Sequence, residues 1–425
     1  MTNLKDYNIL IDGLNLQLQE GSGIKTYALS LINALNELDA NVHVLTDKIL
    51  SQKKLGIDNL LNEILFFDVN TRRYTHLSRA LKLIGHYLST KKLHNIPLSE
   101  HILRPSGYKF LQNIDSVFHH ENCFQLSNLL FQSFGKNMKL KTKEKIDLVH
   151  FTYPSPILIK GAKKISTIHD LIPLKLPFAS LENKKFFYKL IQNTIDTSDL
   201  IVTVSEHTKK DVLELFDIKE SKIVTTYQAL PEEHKALQEK EIETLLHGYN
   251  LQKDQYFLYV GNIEPKKNIR SILEAFSQVQ TNQKLVIVGK KAWLWENEIK
   301  GYSYLKNVIY LDYVPREHLG PLYAGARCFI FPSLYEGFGL PVLEAMQYGC
   351  PIITSNTSSL PEIGGKHVMY IKPNDTTSLR NNMESLLQNR PSRVDLLDKY
   401  SEQINFFHSE EYKKRIINAY HSILL

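Results

Sequence analysis

Cysteine and long hydrophobic runs are scarce in this 425-residue sequence. The three cysteines, Cys123, Cys328 and Cys350, are too few and too dispersed for a disulfide framework or a thiolate metal site. No run approaches the roughly 18 to 20 apolar residues that a membrane-spanning helix needs, and the first residues lack the basic and apolar regions of a secretion signal. We therefore expect a protein of the reducing cytoplasm that does not span the membrane.

The composition is otherwise that of a folded protein. Hydrophobic residues make up 43% of the chain and charged residues 23%, which excludes global disorder and supplies enough apolar side chain for sizeable cores. A length of 425 residues is two to three times that of a domain of about 100 to 200 residues. The sequence therefore predicts two domains.

Short β-branched runs alternate with amphipathic stretches in two series, which is typical of βα units around a parallel sheet. The predicted strands of the first series are 8–12, 41–46, 64–69, 147–152, 164–170 and 200–205. Those of the second series are 256–262, 284–290, 308–314, 328–333, 351–356 and 368–373. A polar stretch between the series suits a linker, so we predict an α/β fold of two Rossmann-like, doubly wound domains facing a cleft.

The predicted domains are 1–235 and 236–400. We expect residues 401–425 to form a helix that packs back on the first domain, because their apolar residues recur at helical spacing. Ligands of open α/β sheets bind at the carboxyl ends of the strands. Function is therefore expected in the strand-to-helix turns.

Basic residues concentrate in the segment 71–111, where eight lysines and arginines face one glutamate for a net charge of +7, while the rest of the chain carries −1. Residues 72–92 predict a basic amphipathic helix. Its basic residues are Arg72, Arg73, Arg79, Lys82, Lys91 and Lys92, and its apolar stripe is Leu77, Ala80, Leu81, Ile84, Tyr87 and Leu88. The helix either packs on the core with a solvated basic face or lies on an anionic membrane surface. We expect no nucleic-acid partner, because no reader motif accompanies the charge.

Three turns carry residue types suited to a phosphate or a sugar. Gly21-Ser22-Gly23 precedes a helix and would let an anion approach its amides, although a plain tight turn is the alternative. The third glycine of a dinucleotide fingerprint is missing, which argues against NAD. Lys266 and Lys267 follow a predicted strand. Two cations at this position either form a site for a diphosphate or are simply a solvated pair.

The third turn is Tyr335-Glu336-Gly337-Phe338-Gly339-Leu340, which leads into a helix that carries Glu344. Glycines there permit close approach and expose amides to phosphate, while Glu336 would accept hydrogen bonds from sugar hydroxyls. Glu344 would accept hydrogen bonds from both hydroxyls of a ribose. The alternative is that its negative charge only complements the helix dipole.

These motifs resemble the family 4 retaining glycosyltransferases, which have the two-domain GT-B fold. The resemblance covers most of the chain, and its hallmark is two glutamates separated by seven residues, as in Glu336 and Glu344. Further matching segments are 167–174, 204–208, 261–268 and 355–362. The pattern is most similar to the mannosyltransferase-like branch of bacterial polysaccharide and O-antigen assembly.

The resemblance implies that the domain 1–235 binds the acceptor and that the domain 236–400 binds the nucleotide sugar. It also implies roles for individual residues. It places Lys267, with Lys266, on the donor diphosphate, Glu336 on the donor sugar hydroxyls and Glu344 on the ribose. Gly23 would lie near the phosphate and the acceptor. The family's cleft histidine corresponds to His169. The loop Gly337, Phe338, Gly339 and Leu340 completes the expected donor site.

The implied function is retaining transfer of a hexose, with mannose favoured, from a nucleotide sugar to a glycan or lipid-linked acceptor in cell-surface polysaccharide synthesis. GDP-mannose is the favoured donor and a UDP-sugar the alternative. The sequence has no Asp-x-Asp motif, so we expect no metal ion and no further cofactor. Two other functions stay open, a nucleotide-sugar epimerase of the same fold and a non-catalytic binding subunit. The basic segment would hold the protein peripherally on the inner face of the plasma membrane.

Overall fold

Two parallel sheets, one in each half of the chain, organise the structure. It is a computed structural model that describes residues 3–17, 23–48, 63–64, 66–67, 83–99, 101–102, 106–230 and 237–425. The strands of the first half are β1 (Asn8–Asp12), β2 (Asn41–Thr46), β3 (Lys91–Lys92), β4 (His94–Pro97), β5 (Ser116–His119), β6 (Met138–Lys141), β7 (Leu148–Phe151), β8 (Ile157–Ile159), β9 (Lys163–Ile168), β10 (Leu200–Thr203) and β11 (Ile223–Thr225).

Eight of these strands form one sheet in the order β11-β10-β9-β7-β1-β2-β5-β4. Neighbours are parallel except β4 and β5. A small parallel sheet, β3-β6-β8, lies beside it. The helices of this half are α1 (Gly23–Glu37), α2 (Cys123–Phe134), α3 (Ile172–Lys175), α4 (Lys184–Thr197) and α5 (Glu206–Leu215).

The second half contains a six-stranded, wholly parallel sheet. Its strands are β12 (Tyr256–Val260), β13 (Lys284–Val288), β14 (Val308–Leu311), β15 (Cys328–Phe331), β16 (Ile352–Ser355) and β17 (Met369–Ile371), in the order β14-β13-β12-β15-β16-β17. Its helices are α6 (Glu239–Gly248), α7 (Ile269–Gln278), α8 (Trp295–Ile299), α9 (Arg316–Gly325), α10 (Leu340–Gln347), α11 (Leu360–Gly364), α12 (Thr376–Gln388), α13 (Arg393–Phe406) and α14 (Ser409–Leu424). Most of these strands are buried, as uninterrupted apolar runs predict for parallel sheets covered on both faces.

Each sheet has one place where the strand order reverses, and ligands of such sheets bind there. In the first sheet this place lies between β1 and β7, and in the second between β12 and β15. The turn with Lys266 and Lys267 follows β12, and the turn with Glu336 follows β15. The predicted α/β class with two doubly wound parallel sheets is confirmed.

The C-terminal helix α14 contacts the first half of the chain. Lys413 of α14 forms an ion pair with Glu37 of α1. Deeper inside, the Tyr420 hydroxyl lies 2.7 Å from Nδ1 of His150, whose Nε2 lies 2.7 Å from the Thr167 hydroxyl. These three side chains are fully buried. A hydrogen-bonded chain therefore joins the last helix to β7 and β9.

Two predictions for the segment before β3 need correction. The predicted strand 64–69 is helical at residues 63–64 and 66–67, the positions that the structure describes. The predicted helix 72–92 is helical over 83–88, but Lys91 and Lys92 form β3, because their backbone pairs with β6. Residues 72–82, with Arg72, Arg73, Arg79 and Lys82, lie outside the described residues. None of the described helices is long and apolar enough to cross a membrane.

We expect Tyr420→Phe to lower the free energy of unfolding by about 1 to 3 kcal/mol, because His150 would lose a buried hydrogen-bond partner. Urea denaturation followed by circular dichroism measures the change. Tyr304→Phe, at a tyrosine that is 63% exposed, should change the same quantity by less than about 0.5 kcal/mol. Equal effects of the two substitutions would mean that the hydrogen bond between Tyr420 and His150 adds no stability.

Candidate active site

The turn after β12 holds the two predicted lysines in a fixed position. Lys266 and Lys267 lie in a 3₁₀ turn, Pro265–Lys267, and Asn268 follows it in the left-handed conformation with φ 58°. The Asn268 side-chain amide donates hydrogen bonds to the carbonyl oxygens of Pro332 (3.0 Å) and Pro373 (2.6 Å). Asparagine tolerates this backbone conformation better than most residues. The lysine turn is thereby tied to the turn that follows β15.

Lys267 and Glu336 form a close ion pair. Lys267 Nζ lies 2.6 Å from Glu336 Oε1, and the two side chains are only 14% and 11% exposed. The ammonium group also lies 5.1 Å from the centroid of the Phe331 ring. Burial raises the pKa of Glu336, but the positive charges of Lys267 and Lys266 outweigh it, so the net shift is downward. Glu336 is therefore ionised at neutral pH.

Lys266 is surrounded by carboxylates. Its Nζ lies 3.5 Å from Glu264 Oε1. Burial lowers the pKa of Lys266, yet the negative charges of Glu336, Glu264 and Asp170 raise it further than burial lowers it. Lys266 therefore stays charged and connects the two domains electrostatically, since Asp170 follows β9 of the first sheet.

Two serines hold the backbone around Glu336. The Ser358 hydroxyl accepts a hydrogen bond from the Glu336 amide (2.9 Å). The Ser359 hydroxyl donates to the carbonyl oxygens of Glu336 (3.0 Å) and Phe338 (2.5 Å). These serines belong to the segment 355–362, which matches the family pattern but for which the resemblance implies no role. Its function in the structure is to position the glutamate turn.

His169 lies at the carboxyl end of β9 with a defined tautomer. Its Nε2 lies 2.8 Å from the carbonyl oxygen of Thr152, which can only accept, so Nε2 carries the proton and Nδ1 is an acceptor. The edge of its ring meets Tyr27 of α1, with centroids 4.9 Å apart. Burial lowers the pKa of His169 to about 4. The imidazole is therefore neutral at physiological pH and offers one acceptor nitrogen.

The two domains touch backbone to backbone at Gly337. A Cβ atom on Gly337 would lie 2.2 Å from the carbonyl oxygen of His169, which no side chain can do. Ser205 donates a hydrogen bond to the Gly337 carbonyl (2.7 Å), and Thr208 donates to the His169 carbonyl (3.0 Å). Glycine is required here by the close approach. The structure thus brings His169 to the turn that carries Glu336.

The remaining predicted donor residues continue from this turn into α10. Gly339 has φ 113°, and Leu340 is the first residue of α10. The Phe338 ring packs against Phe407, which lies between α13 and α14, with centroids 5.5 Å apart. The side chain of Phe338 therefore faces this connection, and its backbone belongs to the glutamate turn.

Glu344 lies one turn into α10 and accepts a hydrogen bond from the Tyr323 hydroxyl (3.1 Å). Burial raises the pKa of Glu344, although the charge of Arg316 opposes the shift. A partly buried carboxylate is suited to accept further hydrogen bonds from a polar ligand.

Gly23 is the first residue of α1, at the carboxyl end of the first sheet, and it is exposed. A Cβ atom there would meet no atom within 4 Å, so packing among the described residues does not require glycine. The preceding residues 18–22 lie outside the described part of the chain. The structure assembles His169, Lys266, Lys267, Glu336 and Gly337 and leaves Gly23 without a described contact to them. Among the described residues no group of three or more histidine, cysteine, aspartate or glutamate side chains is placed to hold a metal ion.

We expect Lys267→Met to lower the free energy of unfolding by about 3 to 5 kcal/mol at pH 7, because it leaves the Glu336 carboxylate buried without its cation. Adding Glu336→Gln should restore a large part of this loss. Lys414→Met, which breaks an exposed pair with Glu411, is the control and should cost less than about 1 kcal/mol.

The stability that the Lys267–Glu336 ion pair contributes depends on pH. Because the pKa of Glu336 is lowered in the folded protein, the stability from the pair is present above the ordinary glutamate value and is lost as pH falls through the lowered pKa. Denaturant titrations at several pH values measure it. A double variant that is no more stable than Lys267→Met would contradict the ion-pair interpretation.

The chain is similar in sequence to known proteins in both halves. Residues 242–403 match the family Glycosyl transferases group 1, and residues 102–233 match Glycosyltransferase Family 4. The chain is 33% identical over 267 residues to the O-antigen chain mannosyltransferase B of Escherichia coli, covering 61% of this chain and 70% of that protein. It is 31% identical over 239 residues to the serotype-specific mannosyltransferase WbdA of Escherichia coli, covering 53% of this chain and 29% of that protein.

The fold has a counterpart among solved structures. HepE of Anabaena, solved in complex with UDP and glucose, superposes with a TM-score of 0.65 at 12% sequence identity, covering 98% of this chain and 100% of that chain. This likeness confirms the predicted two-domain GT-B fold. Together with the sequence matches across both halves, it shows that the chain belongs to the family 4 glycosyltransferases.

Proposed function

We propose that this glycosyltransferase moves mannose, with retention of configuration, from GDP-mannose to a glycan or lipid-linked acceptor in cell-surface polysaccharide synthesis. The observation that carries the proposal is the Lys267–Glu336 ion pair at the strand-order reversal of the second sheet, directly beside His169 of the first sheet. Cations that bind a diphosphate and a carboxylate that binds sugar hydroxyls must be adjacent in such an enzyme, because the two groups are adjacent in the donor.

Donor binding would exchange the partners of this ion pair. Without a ligand, Lys267 neutralises Glu336. An arriving diphosphate competes for Lys267 and Lys266, and the freed Glu336 carboxylate then accepts hydrogen bonds from sugar hydroxyls. The exchange keeps each buried charge paired before and after binding, which avoids the large cost of an isolated buried ion.

The neutral His169 would contact the donor sugar. Its Nδ1 is an acceptor, because Nε2–H is committed to the Thr152 carbonyl. A sugar hydroxyl that donates to Nδ1 would be held by a ring whose orientation is set by Thr152 and Tyr27. A neutral acceptor is also compatible with the positive charge that develops on the sugar as the donor bond breaks.

In the proposed reaction the bond between the anomeric carbon and the diphosphate oxygen breaks while the acceptor oxygen bonds to the same face of that carbon. The acceptor proton passes to the departing phosphate oxygen, so atoms and charge balance. Lys266 and Lys267 stabilise the negative charge that grows on the diphosphate. We propose that this step needs no metal ion, and that closure of the two domains excludes water from the donor.

The choice of mannose is supported by the two relatives named as mannosyltransferases. A UDP-sugar is the alternative donor, and HepE, whose structure contains UDP, is a neighbour of the same fold. In either case Glu344 would accept hydrogen bonds from the ribose, because it lies on the helix that follows the glutamate turn.

The donor is identified by thermal shift in EDTA with GDP, UDP, ADP and TDP and their common sugar conjugates. We expect a selective rise in Tm with GDP and GDP-mannose, because a ligand of the native state stabilises it. Glu344→Ala should abolish the selectivity, whereas Glu317→Ala, at an exposed glutamate of α9, should leave it unchanged.

Three other outcomes would each change the proposal. A shift only with UDP compounds would replace the donor, and a shift only with added Mg²⁺ would refute metal independence. No shift with any nucleotide would contradict the enzyme proposal and favour a non-catalytic subunit. Conversion of the donor to an isomer without an acceptor would indicate the epimerase.

We also propose that the segment 72–92 holds the protein at the cytoplasmic face of an anionic membrane. Support comes from its basic residues and from the exposed apolar side chains of Ile84 and Leu88, which are 52% and 74% exposed.

Vesicles of phosphatidylserine and phosphatidylcholine should bind the protein, and binding should weaken as salt rises. Replacement of Arg72, Arg73, Arg79 and Lys82 by glutamine should abolish cosedimentation. The matched control replaces four lysines of the second domain by glutamine and should preserve cosedimentation. These lysines are Lys284, Lys290, Lys300 and Lys306. Binding that is absent or insensitive to salt would refute the membrane proposal.

A further inference from the structure

A cavity lies in the first domain, at the reversal of strand order between β1 and β7. Its volume is about 240 Å³, roughly the space of eight water molecules. It is bounded by the end of β1, the residues after β7, helix α2 and the start of α4. The residues that line it are Asp12, Leu14, Phe124, Asn128, Tyr153, Pro154, Ser155, Glu182, Asn183, Phe186, Phe187 and Leu190. The space suits one hexose ring and is too small for a nucleotide.

The cavity adjoins the candidate active site. Thr152, whose carbonyl orients His169, donates its amide proton to the Asp12 carboxylate at the floor of the cavity. At the rim, Tyr153 and Glu182 are within hydrogen-bonding distance of each other, at 3.5 Å. Glu182 also lies within electrostatic range of Asp170 and Lys266. A molecule in the cavity would therefore lie next to the bound donor.

The described lining of the cavity combines aromatic rings with hydrogen-bond acceptors. The described residues that line it include carboxylates and amides but no lysine or arginine. Asn128 Oδ1 is buried and has no hydrogen-bond partner among the described residues. Asp12 is 2% exposed, and burial raises its pKa to about 6 although its carboxylate accepts the Thr152 amide. These acceptors suit a ligand that donates hydrogen bonds.

The charge of the lining discriminates between acceptors. A neutral sugar offers many hydroxyl donors and apolar ring faces, which pack well on phenylalanine rings. A phosphate group offers only acceptor oxygens and negative charge, and within the cavity it would be repelled by Asp12 and Glu182. The cations nearest to Glu182, Lys184 and Lys266, are not among the residues that line the cavity. A lipid-linked sugar phosphate would therefore have to keep its phosphate outside the cavity.

We propose that this cavity binds the uncharged terminal sugar of the acceptor, so that the enzyme extends the neutral end of a glycan and does not act on a sugar that carries a phosphate. The inference rests on the proposed glycosyl transfer and adds the class of acceptor. Asp12 and Glu182 accept hydrogen bonds from the sugar hydroxyls, and Phe186 packs on a face of the ring.

Binding of small acceptor mimics tests this proposal without requiring turnover. The wild-type protein, saturated with the nucleoside diphosphate that gives the thermal shift, is titrated with methyl α-mannoside, methyl α-glucoside, methyl N-acetyl-α-glucosaminide and mannose 1-phosphate. Saturation-transfer NMR measures each Kd. We expect at least one methyl glycoside to bind about 10-fold more tightly than mannose 1-phosphate.

Two cavity variants have matched controls. Phe186→Ala and Glu182→Gln should each weaken the binding of that glycoside by about 10-fold. Glu182→Gln should also lower the ratio of the Kd of mannose 1-phosphate to the Kd of the glycoside. The controls are Phe178→Ala, at a phenylalanine that is 67% exposed, and Glu214→Gln, at a glutamate that pairs with Lys175. Both controls should leave the Kd within about twofold.

The proposal is overturned if mannose 1-phosphate binds as tightly as every glycoside, if no glycoside binds, or if the cavity variants leave glycoside binding unchanged. Retained nucleotide binding in these samples keeps the two questions apart. Its loss would count against the proposed glycosyl transfer, whereas failure of glycoside binding with the nucleotide bound would count against the cavity alone.

Discussion

The contact between Gly337 and the carbonyl of His169 is the constraint on which the site depends. The two backbones approach so closely that a Cβ atom would be 2.2 Å from the oxygen. Hydroxyl groups of Ser205 and Thr208 bond the two carbonyls at this point. The carboxyl ends of two separate sheets are thereby held together, so that residues from both domains face one small volume. A larger residue at position 337 would separate the groups that must act together.

Electrostatics stabilises the arrangement of charged side chains in the site. Lys267 and Glu336 neutralise each other in a poorly solvated position, and Lys266 is balanced by Glu264 and Asp170. These three charges, on Lys266, Lys267 and Glu336, therefore have partners within the protein, which is the condition for burying ions at a tolerable cost. A ligand with a matching pattern of charge can replace these partners group for group, with little rearrangement of the turns that carry them.

The sequence was sufficient for the second sheet, for β1, β2, β7, β9 and β10 of the first sheet, and for the turns with Lys267 and Glu336, because buried parallel strands are continuous apolar runs and ligand turns follow them. It did not predict β4, β5 and β11 of the first sheet or the small sheet β3-β6-β8. It failed at 64–69, where a short apolar run does not distinguish helix from strand. It also missed the cavity of the first domain, because Asp12 and Glu182 are distant in the chain and meet only through the strand order. Residue types predict local chemistry, whereas the grouping of distant residues depends on topology.

The chain crosses between the domains twice, and the two crossings are joined to each other. The Leu230 amide donates to the Phe407 carbonyl (2.9 Å), and the Tyr227 ring packs against both Phe406 and Phe407. Helix α14 therefore belongs mechanically to the first domain although it follows the second in the chain. A fluorophore on α14, for instance at Lys414, and a second on the loop at Tyr304 would thus lie on different domains, and energy transfer between them would measure whether the distance between the domains changes when a ligand binds.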